Sequence, residues 1–132
     1  MIQLSEGHLT EEQLDRMLTR LPVDISFVDA DDRVRYYSAK PERVFPRSPS
    51  VIGRKVADCH PAKSVDKVLQ ILDAFREGAR DQARFWIQLD EQFVLIEYYA
   101  VRGDDGEYLG CLEASQDITE PRALEGENRL LD

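Results

Sequence analysis

Residues 83–118 read ARFWIQLDEQFVLIEYYAVRGDDGEYLGCLEASQDI, and this stretch decides the fold. Ala83, Phe85, Ile87 and Leu89 alternate with Arg84, Trp86 and Gln88, the period of two that marks a strand. Glu91-Gln92 turns the chain into a second run, Phe93–Arg102. Gly103-Asp104-Asp105-Gly106 is hairpin-turn chemistry, and Glu107–Ile118 follows as the last strand. Three antiparallel strands are thus contiguous in sequence.

Working outward, Val65, Val68, Leu69, Leu72 and Phe75 form one apolar stripe over Ser64–Phe75. This predicts the main helix, with Gly78 as its stop. Residues 39–62 carry Pro41, Pro46, Pro49, Pro61 and Gly53, and read as irregular with one or two short helical turns, one around Gly53–Asp58. Before them, Asp24–Asp29 and Arg33–Ser38 are rich in β-formers and flank Ala30-Asp31-Asp32, a hairpin. At the N-terminus, Thr10 and Gln13 can complete a capping box, and Leu14, Met17, Leu18 and Leu21 then share one helical face that Pro22 ends. At the C-terminus, Thr119, Glu120 and Pro121 open a final predicted helix carrying Leu124, Leu130 and Leu131. The expected organisation is an N-terminal helix over 1–21, a domain body over 22–120 and a C-terminal helix over 121–132. The body is α+β, with a five-stranded antiparallel sheet and its helices on one face. The terminal helices, or a second subunit, are natural covers for the other face.

At 132 residues the chain has the size of one domain. Hydrophobic residues at 42% and charged residues at 33% exclude a wholly disordered or collagen-like chain. A net charge of -9 disfavours nucleic acid and anionic membrane surfaces as partners. The longest purely apolar run, Phe93-Val94-Leu95-Ile96, is far short of the ~20 residues a membrane helix needs. No signal-peptide pattern opens the sequence. Two far-spaced cysteines, Cys59 and Cys111, argue against a disulfide scaffold or structural zinc and fit a reducing compartment. A cytoplasmic protein is expected.

Two passages resemble a known family. Val51-Ile52-Gly53-Arg54 followed by Asp58-Cys59-His60-Pro61 resembles the passage that leads into the long helix of a PAS domain. Tyr108-Leu109-Gly110 with Gln116-Asp117-Ile118-Thr119 resembles the PAS last strand and its closing DIT. The resemblance spans about residues 22–120. It is closer still to the PAS domain that ends a bacterial and archaeal family of unknown function, often preceded by a hemerythrin-like domain. The segments LPVDISFVDADDRVRYYS, RVFPRSPSVIGR, CHPAKSV, FWIQL, AVRGDDGEYLG and LEASQDIT carry that likeness. No hemerythrin-like domain falls within these residues. The resemblance implies a PAS fold and a sensory module that binds a small molecule or cofactor between sheet and helices. The change would pass to flanking, dimerising helices. It does not name the ligand, because one fold hosts many functions.

Several residues could carry chemistry in such a pocket. Photosensory LOV domains place a reactive Cys three residues after the same Ile-Gly; here that position is Val56, and the LOV-type last-strand Gln falls on Ser115. Covalent flavin chemistry is therefore not expected. Arg54 lies beside this passage. Cys59 and His60 are competent metal or heme ligands near a helix start, set against a plain packing and capping role. If Ser115 faces the pocket, period two places Glu113 and Cys111 with it; opposite parity leaves Glu113 in solvent. A carboxylate in a half-apolar pocket needs a partner, and Arg54, Lys55, Tyr98 or a ligand amine could supply it. Phe85-Trp86 and Tyr98-Tyr99 each point one ring to either face. Trp86 and Tyr98 are taken as the pocket members, Tyr98 by analogy with how PAS ligands lie on the sheet. No metal set, Ser-His-Asp order, HExxH or phosphate loop is present in the sequence.

Three functions are weighed. A sensory ligand-binding module, acting as a homodimer or as part of a larger signalling protein, is favoured over a ligand-free dimerisation scaffold. A heme-based redox or gas sensor using Cys59 or His60 is a variant of the first. A small acid–base enzyme using Glu113 with Tyr98 is set below both, so no enzyme activity is expected.

Overall fold

In the computed structural model, which describes residues 1–130, the chain opens with a two-residue pair, β1 (Ile2–Gln3) and β2 (His8–Leu9). Helix α1 (Glu11–Arg20) follows, then β3 (Asp24–Asp29) and β4 (Val34–Tyr37). Short 3-10 turns at Pro49–Val51 and Val56–Asp58 lead into helix α2 (Ala62–Arg76). The chain then runs through β5 (Gln82–Leu89), β6 (Gln92–Arg102) and β7 (Tyr108–Asp117).

The last five strands named form one antiparallel sheet in the order β4-β3-β7-β6-β5. The first and last parts of the chain thus meet at its centre, where β3 pairs β7. Gly110 permits that meeting: a Cβ there would run into the Val28 carbonyl oxygen and the Phe27 ring. The core lies between the inner face of the sheet and α2. Val28, Val34, Val94 and Cys111 pack there against Val68, Leu72 and Phe75 of the helix and against Val56.

Helix α1 has the expected capping box: Gln13 N–H donates to Thr10 Oγ1 and Thr10 N–H to Gln13 Oε1, both at 3.0 Å. Its apolar stripe is real, yet no residue of α1 is buried and Met17 is 55% exposed. The expected C-terminal helix over 121–132 is corrected to one 3-10 turn, Pro121–Ala123. Leu124 leaves that turn extended, Gly126 takes a positive φ of 65°, and Leu124 and Leu130 are exposed. Those two leucines stand six apart, which places them on different helical faces, so no stripe holds a helix together there. Leu131 lies outside the described residues. No helix among the described residues is long and apolar enough to cross a membrane.

Candidate functional site

Strand register fixes which side chains look inward. On β7, Cys111, Glu113 and Ser115 share the face of Val28; on β6, Val94, Ile96 and Tyr98 share it. Glu113 sits between Ser26 of β3 and Tyr98 of β6. Tyr98 is buried there, with the Phe85 ring packed edge-on to it at 5.6 Å. Tyr99 points to the opposite face and donates to Glu97 Oε2 at 2.7 Å. Trp86, expected in the pocket, belongs to that outer face and is 61% exposed. With Ala83 buried inward, period two sends Phe85 in and Trp86 out.

Glu113 is the unusual member of the inner face. It is 8% exposed, and its Oε1 has no hydrogen-bond partner among the described residues. Burial pushes its carboxyl up, against the fields of His60, Arg47 and Arg43, which pull it down. None of these three forms an ion pair with it among the described residues. Burial, reinforced by the Glu113 charge, also pushes the Tyr98 phenol and the Cys111 thiol up. Neither ionises near neutrality, so neither offers a nucleophile.

The basic groups come from the irregular segment and from the turn before α2. Arg43 is anchored by the Ser38 carbonyl at 2.6 Å and the Phe45 carbonyl at 3.1 Å. His60 donates from Nδ1 to the Val56 carbonyl at 3.0 Å, which leaves Nε2 uncommitted. Arg47 is half-buried and, among the described residues, bonds only the adjacent Pro46 carbonyl, at 3.2 Å. Asp24, at the start of β3, holds the segment down: it accepts from Val44 N–H at 2.5 Å and pairs with Lys40 at 3.3 Å.

A solvent-open hollow of about 200 Å³ lies at this end of the sheet, lined by Asp24, Lys40, Arg43 and Ser115 among others. Ser115 is one inward step from Glu113 along β7, and Arg43 both lines the hollow and acts on Glu113. Glu113 itself lines neither hollow; Ser115 and Arg43 are what connect the first hollow to its surroundings. A second, shallower recess carries Gln92, Asp117 and Thr119. There the closing Asp-Ile-Thr shows its purpose. Thr119 Oγ1 donates to Asp117 Oδ1 at 2.5 Å and accepts from Phe93 N–H at 2.9 Å, so the end of β7 is tied to the start of β6.

The other sequence candidates do not converge here. Arg54 is exposed, and its backbone, accepting from Val34 N–H, is what the fold uses. Cys59 packs at the rim of the core with its thiol on the Lys55 carbonyl at 3.5 Å. Neither hollow is lined by Cys59 or His60. Sequence reasoning missed Arg43, Arg47 and Asp24. All three lie in or against the Pro-rich stretch, where no periodicity reveals which way a side chain points.

The order of elements, the five-stranded sheet and the helix packed on its inner face define an α+β module of the PAS type. The PAS domain family model matches residues 14–119, and the chain belongs to the PAS domain family. A C-terminal domain from Streptococcus mutans, solved by crystallography, is 40% identical; the match covers 93% of this chain and 96% of that one, with a TM-score of 0.87. A sensory box sensor histidine kinase from Vibrio cholerae shares the fold at 15% identity, covering 82% of this chain and 90% of that one, with a TM-score of 0.59. A PAS domain from Colwellia psychrerythraea does so at 14% identity, covering 83% and 97%, also with a TM-score of 0.59. No curated protein sequence matches the chain.

Proposed function

We propose that this PAS domain is a cytoplasmic sensory module that binds a small molecule on the inner face of its sheet and transmits the event through α1. It binds and does not turn over. The observation that carries the reading is Glu113: a buried carboxyl oxygen with no partner among the described residues, on the same face of β7 as Ser115, which lines a solvent-open hollow. An unsatisfied buried acceptor costs roughly 1–3 kcal/mol, and a ligand donor would offset that cost. The kinship with sensor-kinase PAS domains supports a sensory role.

Transmission follows from the position of Glu113 on β7, the central strand. Its neighbours Leu112 and Ala114 face the opposite side of the sheet, together with Trp86 and Tyr99. Helix α1 offers an apolar stripe that its own chain leaves unburied. A second copy of this chain would cover both surfaces, and a ligand that re-sets β7 would shift how they dock. The same uncovered surfaces favour a second reading, a dimerisation scaffold with no ligand.

Native mass spectrometry of protein purified from cells, followed by analysis of the denatured extract, separates the two. A stoichiometric small molecule is the expected result, as is a dimer that Met17→Lys splits. A dimer with an empty extract, unchanged by any added metabolite, would leave the scaffold reading in its place.

A further inference from the structure

The chain treats the two edges of its sheet differently. Strand β4 is covered by the irregular segment: Val34 N–H donates to the Arg54 carbonyl at 3.0 Å, and Gly53 N–H to the Val34 carbonyl at 2.7 Å. Strand β5, at the other edge, pairs with β6 alone. One bond fixes its backbone parity: Ala100 N–H donates to the Asp81 carbonyl at 2.9 Å. Bonded pairs alternate along an antiparallel ladder, so Ala83, Phe85, Ile87 and Leu89 direct their backbone groups to β6. The N–H and C=O groups of Gln82, Arg84, Trp86 and Gln88 point away from the sheet, where no strand among the described residues meets them.

Natural edges of this kind are guarded by a proline, a bulge, an inward charge or a covering loop. Strand β5 has no Pro, and its register against β6 runs unbroken from Gln82 to Leu89. Its one charge, Arg84, is on the outer face and paired with Glu97 at 2.9 Å. Phe85, Trp86 and Ile87 are exposed in succession, at 38%, 61% and 37%.

We infer that β5 pairs with β5 of a second copy of this chain, antiparallel across a two-fold axis at Phe85, so that two five-stranded sheets become one. Self-complementarity selects this occupant. Only the outward-pointing residues can bond across the edge, which leaves few registers. With Phe85 opposite the copy's Phe85, Arg84 falls opposite Trp86, Gln82 opposite Gln88, Ala83 opposite Ile87 and Arg80 opposite Asp90, each twice by symmetry. These set a guanidinium on an indole, amide on amide, apolar on apolar and opposite charges together, all favourable cross-strand pairs. Neither Arg80 nor Asp90 has an ion pair within its own chain among the described residues. A slip one way sets Arg84 on Arg84, and a slip the other way sets Asp81 on Glu91. Eight residues of strand bury less than the roughly 1,600 Å² of a standard complex, so the pairing is weak and depends on concentration. It uses no residue of α1 and needs no ligand. It joins single copies, or dimers already formed through α1, edge to edge.

Sedimentation velocity from about 10 μM to about 1 mM, with hydrogen exchange at both limits, tests the pairing. Met17→Lys is run beside the parent, so that contact through α1 does not mask the edge. Both proteins should sediment faster with concentration. Exchange at the Arg84, Trp86 and Gln88 amides should slow at least about threefold, while Phe85 and Ile87, already bonded to β6, should not change. Trp86 is the single tryptophan, so its emission should move to the blue over the same range. Trp86→Lys, at an exposed position, sets lysine against the copy's Arg84 and should weaken association about tenfold or more. With Cys59→Ser in place, oxidised Phe85→Cys should give a covalent dimer and Ile87→Cys should not, because only the first pair comes within disulfide reach. Association that Trp86→Lys leaves at full strength, or that leaves the alternate amides unprotected, would put the contact elsewhere and overturn the pairing. No association at the highest concentration would leave the edge to a strand of another protein and overturn it equally.

Discussion

The two ends of the inner face treat charge in opposite ways. Where α2 terminates, the charges are paired. Arg76 bridges Asp73, at 2.8 Å, to Asp32 in the β3–β4 turn. Arg102 holds the Phe75 carbonyl at 2.9 Å and Asp81 at 3.0 Å. Both guanidinium groups stand 5.8 Å from the Tyr108 ring, and burial pushes that phenol up to about 12. At the other end Asp24 pairs with Lys40, but Glu113 lies within the fields of Arg47 and His60 and forms an ion pair with neither among the described residues. Similar residue types do different work: paired, they fasten the helix to the sheet; unpaired, they hold interaction strength in reserve for something else. Proteins break local rules of satisfaction mostly at functional sites; the Tyr108 hydroxyl at the paired end and the Glu113 carboxyl at the other both lack a partner among the described residues, but only the second is a carboxyl.

The fastened end should be where the fold breaks. Gly110→Ala forces a methyl against the Val28 carbonyl and the Phe27 ring at the β3–β7 join. Backbone cannot yield there as a side chain would, so a loss of ~3 kcal/mol in urea unfolding is expected. A loss below ~1 kcal/mol would mean that β3 and β7 approach less closely than described. Next in size, Arg102→Ala removes the bonds to the Phe75 and Arg80 carbonyls and the contact with Tyr108. About 2 kcal/mol should go, with faster hydrogen exchange in the last turn of α2. Unchanged exchange there would show that the clamp does not hold the helix end.

The open end should respond in the other direction. Glu113→Gln removes a buried acid whose folded pKa is raised by burial. Such a group supports the fold fully below its unfolded pKa, near 4.3, and that support is lost as pH rises through the folded pKa. The groups facing it are His60 from the turn before α2, Arg43 and Arg47 from the irregular segment, and Tyr98 and Cys111 from β6 and β7. The ligand-free variant should therefore be more stable than the parent at pH 7, by ~1 kcal/mol. The gap should close as pH falls toward 4. A variant less stable at pH 7 would mean that the carboxylate is satisfied in the folded protein, and the contrast between the ends would dissolve.

How much of this the sequence could show follows the same division. The strand Asp24–Asp29 matches residue for residue, because its β-formers end in turn chemistry. Helix α2 was expected over Ser64–Phe75 and extends to Ala62 and Arg76, since its first and last residues lie off the apolar stripe. The pair β1–β2 was not read, two residues being too short for a period to show. Glu113 was legible only conditionally, through the parity of Ser115, and the register supplies that condition. Arg43 and Arg47 were not legible at all. Their side chains are placed by where the Pro-rich segment crosses the sheet, a tertiary fact with no local pattern behind it. The terminal leucines misled for the converse reason: Pro121 starts a helical turn well, but nothing at helical spacing continues it.

The smallest effect expected tests whether the two ends communicate. Thr119→Ala removes the acceptor for Phe93 N–H and one bond to Asp117, at the rim of the open end and far from the α2 clamp. Hydrogen bonding pulls the Asp117 carboxyl down, so losing Thr119 relaxes that residue as well. The cost should be only ~0.5–1 kcal/mol, as for a lost cap, with faster amide exchange at Phe93 and Ile118. What matters is the dimer. If β7 carries the signal, ligand should still bind this variant but should no longer alter how its two copies associate, because the end of the strand is loose. Association that still follows the ligand in the variant would route the signal instead through β3, which pairs β7 along its whole length and leads back to α1.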